Sequence, residues 1–306
     1  MSSVKKNYLY NVAYQMLLII IPLISAPYIS RVLGAERIGI QTYTYSIATQ
    51  FALFTKMGID NHGIRTISGL RDDKIRMSEE FWNIYSLQRM FAIFVTIAYF
   101  VYLIFISEEF FYIKLIQSSI VISSFFDISW FFFGIEQFKI TVTRNSVARL
   151  VTLVLIFVFV KNQNDLWKYS LIIASSSLIN HLILHAFLPR FVNKQTKINL
   201  SEIKKHLKPV LILFIPVLAV HLYITMDKIM LGMMSNMREV GFYNNAEKIN
   251  NMPMGFIVAF GTVMMPRVSY LVEKGKDDLI RENIKNGFWH CCSRTIFCPS
   301  IFWKRL

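Results

Sequence analysis

Between Thr141 and Thr152 the chain places Thr141, Asn145, Arg149 and Thr152 at intervals of four, four and three residues. That spacing puts all four on one face of an α-helix, with Arg144 beside the stripe. The remainder of the segment, Leu153 to Val160, is wholly aliphatic or Phe. Guanidinium groups are permanent cations whose planar fork of donors suits anions with several oxygens. In hydrocarbon an Arg or Asp lacking a partner costs roughly 2.5–3.5 kcal/mol on insertion scales, so such residues face protein or water. The stripe therefore lines an aqueous lumen or joins a structural network between helices. Both readings stay open at this point.

Other segments carry polar groups with two readings each. Gln41, Thr42, Tyr45, Ser46, Thr49 and Gln50 crowd one apolar stretch; hydroxyls and amides at this density suit sugar contacts and helix packing equally. Ser177, His181 and His185 follow at i, i+4 and i+8. A His pair at that spacing can bind zinc, but no third ligand or adjacent Glu accompanies it, so lumen lining, packing or a proton relay is expected and no metal. His221, Thr225 and Lys228 share a face, with Asp227 beside Lys228 to neutralise it. Arg89 and Asp127 lie near the ends of two neighbouring apolar segments and are expected to form a structural ion pair. Lys56 and Lys114 also sit near segment ends, where long side chains reach the interface by snorkelling.

The elements that must hold these residues are membrane-spanning helices. Of 306 residues 54% are hydrophobic and 17% charged, with mean hydropathy +0.44; soluble domains carry roughly 25% charged residues. The deficit is spread along the chain, which marks repeated spans, each needing about 20 apolar residues. Eight are expected, near 9–30, 38–57, 84–106, 110–133, 138–160, 167–188, 209–231 and 247–270. The fold class is thus all-α, a polytopic membrane helix bundle. The stretch from Leu9 is too long for a signal peptide and lacks a small-residue cleavage site, so it reads as the first span. Pro22, Pro27 and Pro216 fall inside spans, where each removes a backbone hydrogen bond and bends the helix.

The net charge of +14 does not indicate nucleic acid, because the cations sit in loops between apolar runs. Counting Lys and Arg by alternate sides gives 17 on the side of the N-terminus and seven on the other (Arg31, Arg37, Lys161, Lys168, Lys228, Arg238, Lys248). The positive-inside rule then puts the N-terminus in the cytoplasm. Residues 1–200 read as a first six-helix lobe and 201–285 as the first two helices of an incomplete second lobe. The segment 286–306 holds all three cysteines, together with Trp289 and Trp303, and reads as an atypical, out-of-frame or truncated tail. With cysteines only there, disulfides do not hold the fold together.

A weak internal repeat joins the two lobes. Arg31-Val32-Leu33-Gly34 followed by Ile38-Gly39-Ile40 parallels Lys228-Ile229-Met230-Leu231-Gly232 followed by Val240-Gly241-Phe242. Parallel repeats are common in transporters. The basic residues of the two copies, Arg31 and Lys228, are further candidate substrate contacts.

Several stretches resemble one known family. Pro27-Tyr28-Ile29-Ser30-Arg31-Val32-Leu33-Gly34-Ala35-Glu36-Arg37-Ile38-Gly39, Gly58-Ile59-Asp60-Asn61-His62-Gly63-Ile64-Arg65 and Trp130-Phe131-Phe132-Phe133-Gly134-Ile135-Glu136-Gln137-Phe138-Lys139 are similar to segments of the polysaccharide flippases. So is Asp227-Lys228-Ile229-Met230-Leu231-Gly232 through Ile249. These flippases form the O-antigen and capsule-repeat branch of the multidrug/oligosaccharidyl-lipid/polysaccharide exporter superfamily. The resemblance implies twelve or more helices in two lobes around a cation-lined cavity. It implies turnover of an undecaprenyl-diphosphate-linked oligosaccharide across the cell inner (cytoplasmic) membrane by alternating access. Arg144, Arg149, Asn145 and Thr141 would then meet the diphosphate, and Gln41 and Tyr45 the sugars. Expected partners are that lipid-linked oligosaccharide, membrane lipid, and a polysaccharide polymerase with glycosyltransferases; no cofactor is required because nothing covalent changes.

Two alternatives differ in chemistry. A drug or small-molecule exporter of the same superfamily is disfavoured by a cationic lumen if its cargo is a cation. A membrane glycosyltransferase or polymerase would need an acidic site and a large external loop, and neither is visible. The chain also has no GxxxxGK[ST], no GxSxG and no cysteine–histidine cluster, so it is read as a non-enzyme.

Overall fold

The computed structural model describes residues 2–105, 109–193 and 200–251. These are helical with no strand among them: α1 (Ser2–Lys56), α2 (Ile59–Gly69), α3 (Lys74–Phe105), α4 (Phe111–Phe125), α5 (Ser129–Gly134), α6 (Phe138–Phe159), α7 (Leu166–Phe187), α8 (Leu200–Met234) and α9 (237–251). Among the described residues five helices are long and apolar enough to cross a membrane. The chain is an all-α, multi-pass helix bundle.

The expected spans at 138–160 and 167–188 match α6 and α7 to within a residue or two, because apolar runs of that length have no other way to satisfy their backbone in lipid. Other boundaries differ: α3 and α8 begin about ten residues before the spans expected at 84–106 and 209–231. The spans expected at 9–30 and 38–57 have no loop between them; both lie in α1, interrupted where Gly34 turns to φ 77°, ψ 167°. That conformation is unfavourable for any residue with a Cβ, whatever the space around it. The span expected at 110–133 is broken into α4 and α5 at Asp127, whose Oδ1 accepts the backbone N–H of Ser129 (3.0 Å). Most of the span expected at 247–270, and the tail at 286–306, lie outside the described residues.

With lipid as solvent, helices gain little from apolar burial against one another, so close packing and interhelical hydrogen bonds hold the bundle. The polar crowd on α1 supplies several of those bonds. Gln117 of α4 donates through Nε2 to Gln41 Oε1 (3.1 Å) and Thr44 Oγ1 (2.9 Å), and Ser170 of α7 donates to the same Gln41 oxygen. Gln50 accepts from Thr225 of α8 (3.0 Å) and contacts His221 Nδ1 at 3.2 Å.

Contacts among the helix ends gather at two places. At the Lys56 end, Trp82 donates to the Asn193 carbonyl (3.0 Å), Arg71 pairs with Glu136 (2.6 Å), and His206 of α8 bridges His62 of α2 and Glu80 of α3 (2.9 Å each). At the Gly34 end, Tyr28 donates to the Val160 carbonyl (2.8 Å).

The two repeat copies touch. A Cβ on Gly39 would stand 1.6 Å from the Met237 carbonyl oxygen, and a Cβ on Gly241 would stand 1.9 Å from that of Ala35. Each glycine rests on the residue four positions before the other, so the copies exchange one contact about a local two-fold axis. Small residues permit this backbone approach between membrane helices.

Candidate functional site

A cavity of about 580 Å³, with polar and charged groups among apolar ones, lies between α1, α2, α4–α5, α6 and α7. Its α6 wall carries Arg144, Asn145, Arg149 and Thr152, which is the sequence stripe less its first member. Thr141 is buried and bonds the Phe138 carbonyl of its own helix (3.0 Å), outside the cavity wall.

Arg144 is held by the facing helix. Its Nη1 donates to the Asn180 carbonyl (2.9 Å) and its Nη2 to Asn145 Oδ1 (2.7 Å), an oxygen that also accepts Asn180 Nδ2 (3.0 Å). Thr152 shares a 2.6 Å hydrogen bond with Ser176 of α7. The lumen and network readings of the stripe thus coexist: the same side chains bond α7 and line the cavity. Arg149, five residues beyond Arg144, lines that wall and is exposed, and Tyr45 of α1 lines the cavity with 40% of its surface exposed.

At the other end of the cavity, Lys56 Nζ pairs with Asp127 and with Asp60 (3.1 Å). This corrects two expectations. Asp127 pairs with Lys56 and not with Arg89, and Lys56 does not snorkel. Asp127 is 3% exposed, and a carboxylate so buried needs a cation and fixed donors around it. Gln88 fixes the turn that presents it, donating to the carbonyls of Ser124 and Asp127 (2.9 Å each) while accepting from the Trp130 indole (3.0 Å). Arg89 instead stacks on aromatic faces, 4.4 Å from the Tyr85 ring centroid and 5.7 Å from that of Trp82. Lys114 likewise does not snorkel; it is buried, 5.7 Å from the ring centroids of Tyr43 and Tyr102.

The histidines of α7 serve carbonyls of α4 and its exit. His181 Nδ1 bonds the Ser123 carbonyl (2.9 Å) and His185 Nε2 the Phe126 carbonyl (3.0 Å). A carbonyl only accepts, so the proton of a neutral His181 ring sits on Nδ1. Its Nε2 then faces Asp127 Oδ2 at 3.5 Å.

The remaining sequence candidates lie elsewhere. Gln41 is buried in the α1–α4–α7 network, away from the cavity wall, where its amide oxygen accepts from Gln117 and Ser170. Arg31 is exposed at the Gly34 end and is not on the cavity wall. Lys228 pairs with Glu247 of α9 (2.7 Å), while Asp227 accepts from Tyr243 (2.7 Å), so the neighbouring acid does not neutralise it as expected.

Sequence reasoning gave Asp60 and Asn180 no part in the site and read Lys56 only as a snorkelling residue. Lys56 closes α1 and Asp60 sits in the first turn of α2, across the turn at Met57 and Gly58, so no helical period links the two. Asn180 carried no signal, since it acts mainly through its backbone carbonyl.

Comparison with known proteins adds the family. The family described as "Polysaccharide biosynthesis protein" matches residues 4–272. A protein of Escherichia coli (strain K12) named "Putative O-antigen transporter" is 25% identical over 272 residues, covering 87% of this chain and 65% of its own length. A protein of Shigella dysenteriae with the same name is 25% identical over 257 residues, 82% of this chain and 63% of its own. The chain therefore spans a little under two thirds of the length of these relatives. No solved structure matches it.

Proposed function

Since the chain belongs to the polysaccharide biosynthesis protein family, we propose that it takes part in moving an undecaprenyl-diphosphate-linked oligosaccharide across the cytoplasmic membrane by alternating access, for O-antigen or capsule assembly. The observation that carries this reading is the α6 wall. Arg144 and Arg149 line a cavity whose one deeply buried acid, Asp127, is engaged by Lys56. Three cations and two carboxylates, Asp60 and Asp127, leave the cavity net positive with His181 neutral. A diphosphate meets a guanidinium already aligned by Asn180 and Asn145, so little ordering is needed on binding. The volume of about 580 Å³ falls within the range of roughly 300–1,000 Å³ typical of small-molecule sites. It accommodates the diphosphate and first sugars, with Tyr45 offering an aromatic face and a hydroxyl to the latter.

In this reading the Lys56 end faces the cytoplasm, residues 1–200 form the first lobe, and 201–285 begin the second. Partners acting before and after it are glycosyltransferases and a polysaccharide polymerase. Arg144→Ala and Arg149→Ala, in cells whose surface polysaccharide depends on this gene, should abolish display while leaving membrane insertion intact. Normal display in both variants would refute the assignment. The names of the two relatives support transport; the cationic wall argues against a cationic drug as cargo.

A further inference from the structure

A second hollow, of about 780 Å³, opens at the Gly34 end. Arg37 of α1, Arg238 and Phe242 of α9, and Gln163, Asn164 and Trp167 at the entry to α7 line it. Two guanidiniums face it against the carboxylate of Glu36, so it favours an anion. Two side-chain amides supply both donors and acceptors, which is what hydroxyl-rich ligands require. Trp167 is 50% exposed, with Lys168 Nζ 5.7 Å from its ring centroid. Cations, amides and a half-exposed indole on one concave wall match an anionic saccharide.

The hollow is separate from the first cavity. Ile156 and Ile173 bound the first; Leu33, Ile40, Ile113 and Leu166 bound the second. All six belong to or pack against one apolar cluster, which forms a septum between the two. Met237 packs on the same septum, and its carbonyl is the one on which Gly39 rests. The crossing of the repeat copies therefore stands beside the partition.

We propose that this hollow is a second head-group site, which holds an anionic saccharide with its charge on Arg37 and Arg238 and a sugar ring on Trp167. The identity of the ligand rests on the proposed function; the existence of the site rests on its own wall. The cargo would then occupy two stations, one on each side of the septum.

The test uses the full chain in lipid nanodiscs and a lipid-free disaccharide diphosphate as probe, titrated calorimetrically. Two classes of site are expected. Arg149→Gln should remove one and leave the other. Arg37→Gln with Arg238→Gln should weaken the other by about a hundredfold or more, since two charge-assisted hydrogen bonds are lost and each is worth about tenfold or more. Trp167→Ala, at an exposed position that folding tolerates, should weaken that same class, and Trp167→Phe should restore part of the loss. Binding abolished by Arg149→Gln alone, no binding at all, or indifference to the Arg37, Arg238 and Trp167 changes would overturn the proposal. The last outcome would assign these residues to anchoring in lipid head groups. A single class lost only in the Arg37/Arg238 variant would support this site and sink the first cavity as the diphosphate site.

Discussion

The exchange of contacts between Gly39 and Gly241 makes an unusual energetic demand. Adding a methyl to Gly39 puts a carbon 1.6 Å from the Met237 oxygen, about 1.8 Å inside the 3.4 Å at which ordinary contact begins; at Gly241 the shortfall is about 1.5 Å. Backbone is met in both cases, so no side chain can swing away, and the helices must part. Overpacking of this kind costs about 1–3 kcal/mol. The better helix propensity of Ala offsets little of that in a mixed micelle, where the unfolded chain keeps its helices. Once Gly39→Ala has forced α1 and α9 apart, the methyl of Gly241→Ala finds room already made. The double variant should cost about as much as the worse single variant, giving a coupling energy of about 1–3 kcal/mol in a double-mutant cycle. Titration with SDS in mixed micelles, followed by tryptophan fluorescence, measures all four corners. Additive penalties, or no penalty in either single variant, would refute the reciprocal crossing.

Three further outcomes follow from the same structure. Asp127→Ala leaves Lys56 buried with Asp60 as its remaining carboxylate; the same titration should show a loss of about 3 kcal/mol, and Lys56→Met combined with Asp127→Leu should recover part of it because no charge is left stranded. Burial, with His206 adding to it, holds the His62 imidazole below its usual range, so stability is full above about pH 6.5 and falls as the pH drops through the lowered value; His62→Gln should flatten that part of the pH profile. A reporter fused after Arg76 should read out in the cytoplasm and one at Lys161 outside, and the reverse pattern would overturn the topology.

Hydropathy carried much of the fold because its demand is local: α6 needs 20 or so apolar residues, and 138–160 supplies them. It failed at Gly34, where a single residue with positive φ does the work of a loop, and at Asp127, where a side chain bonding the backbone ends α4 early. Half of the candidate site was legible for a comparable reason. Helical period alone puts Asn145 and Arg149 on one face, with Arg144 beside them, and all three line the cavity. Period does not say which way a polar face points. Gln41 and Tyr45 sit on one helix with equal claims, yet one is sealed between α4 and α7 and the other opens on the cavity. Nor does it choose among distant partners: Lys56 and Arg89 were both available to Asp127, and the Gln88–Trp130 clamp presents the carboxylate to Lys56.

The bonds that unite Gln41, Gln117 and Ser170 have a mechanical implication. They tie α1, α4 and α7 together with side chains that find no water to replace one another. Sliding any of the three would strand an amide in a dry interior, at about 1–3 kcal/mol for each group left unsatisfied. The trio therefore resists relative sliding as a unit. Arg144 and Thr152 extend the same tie from α7 to α6, and Gln50 extends it from α1 to α8.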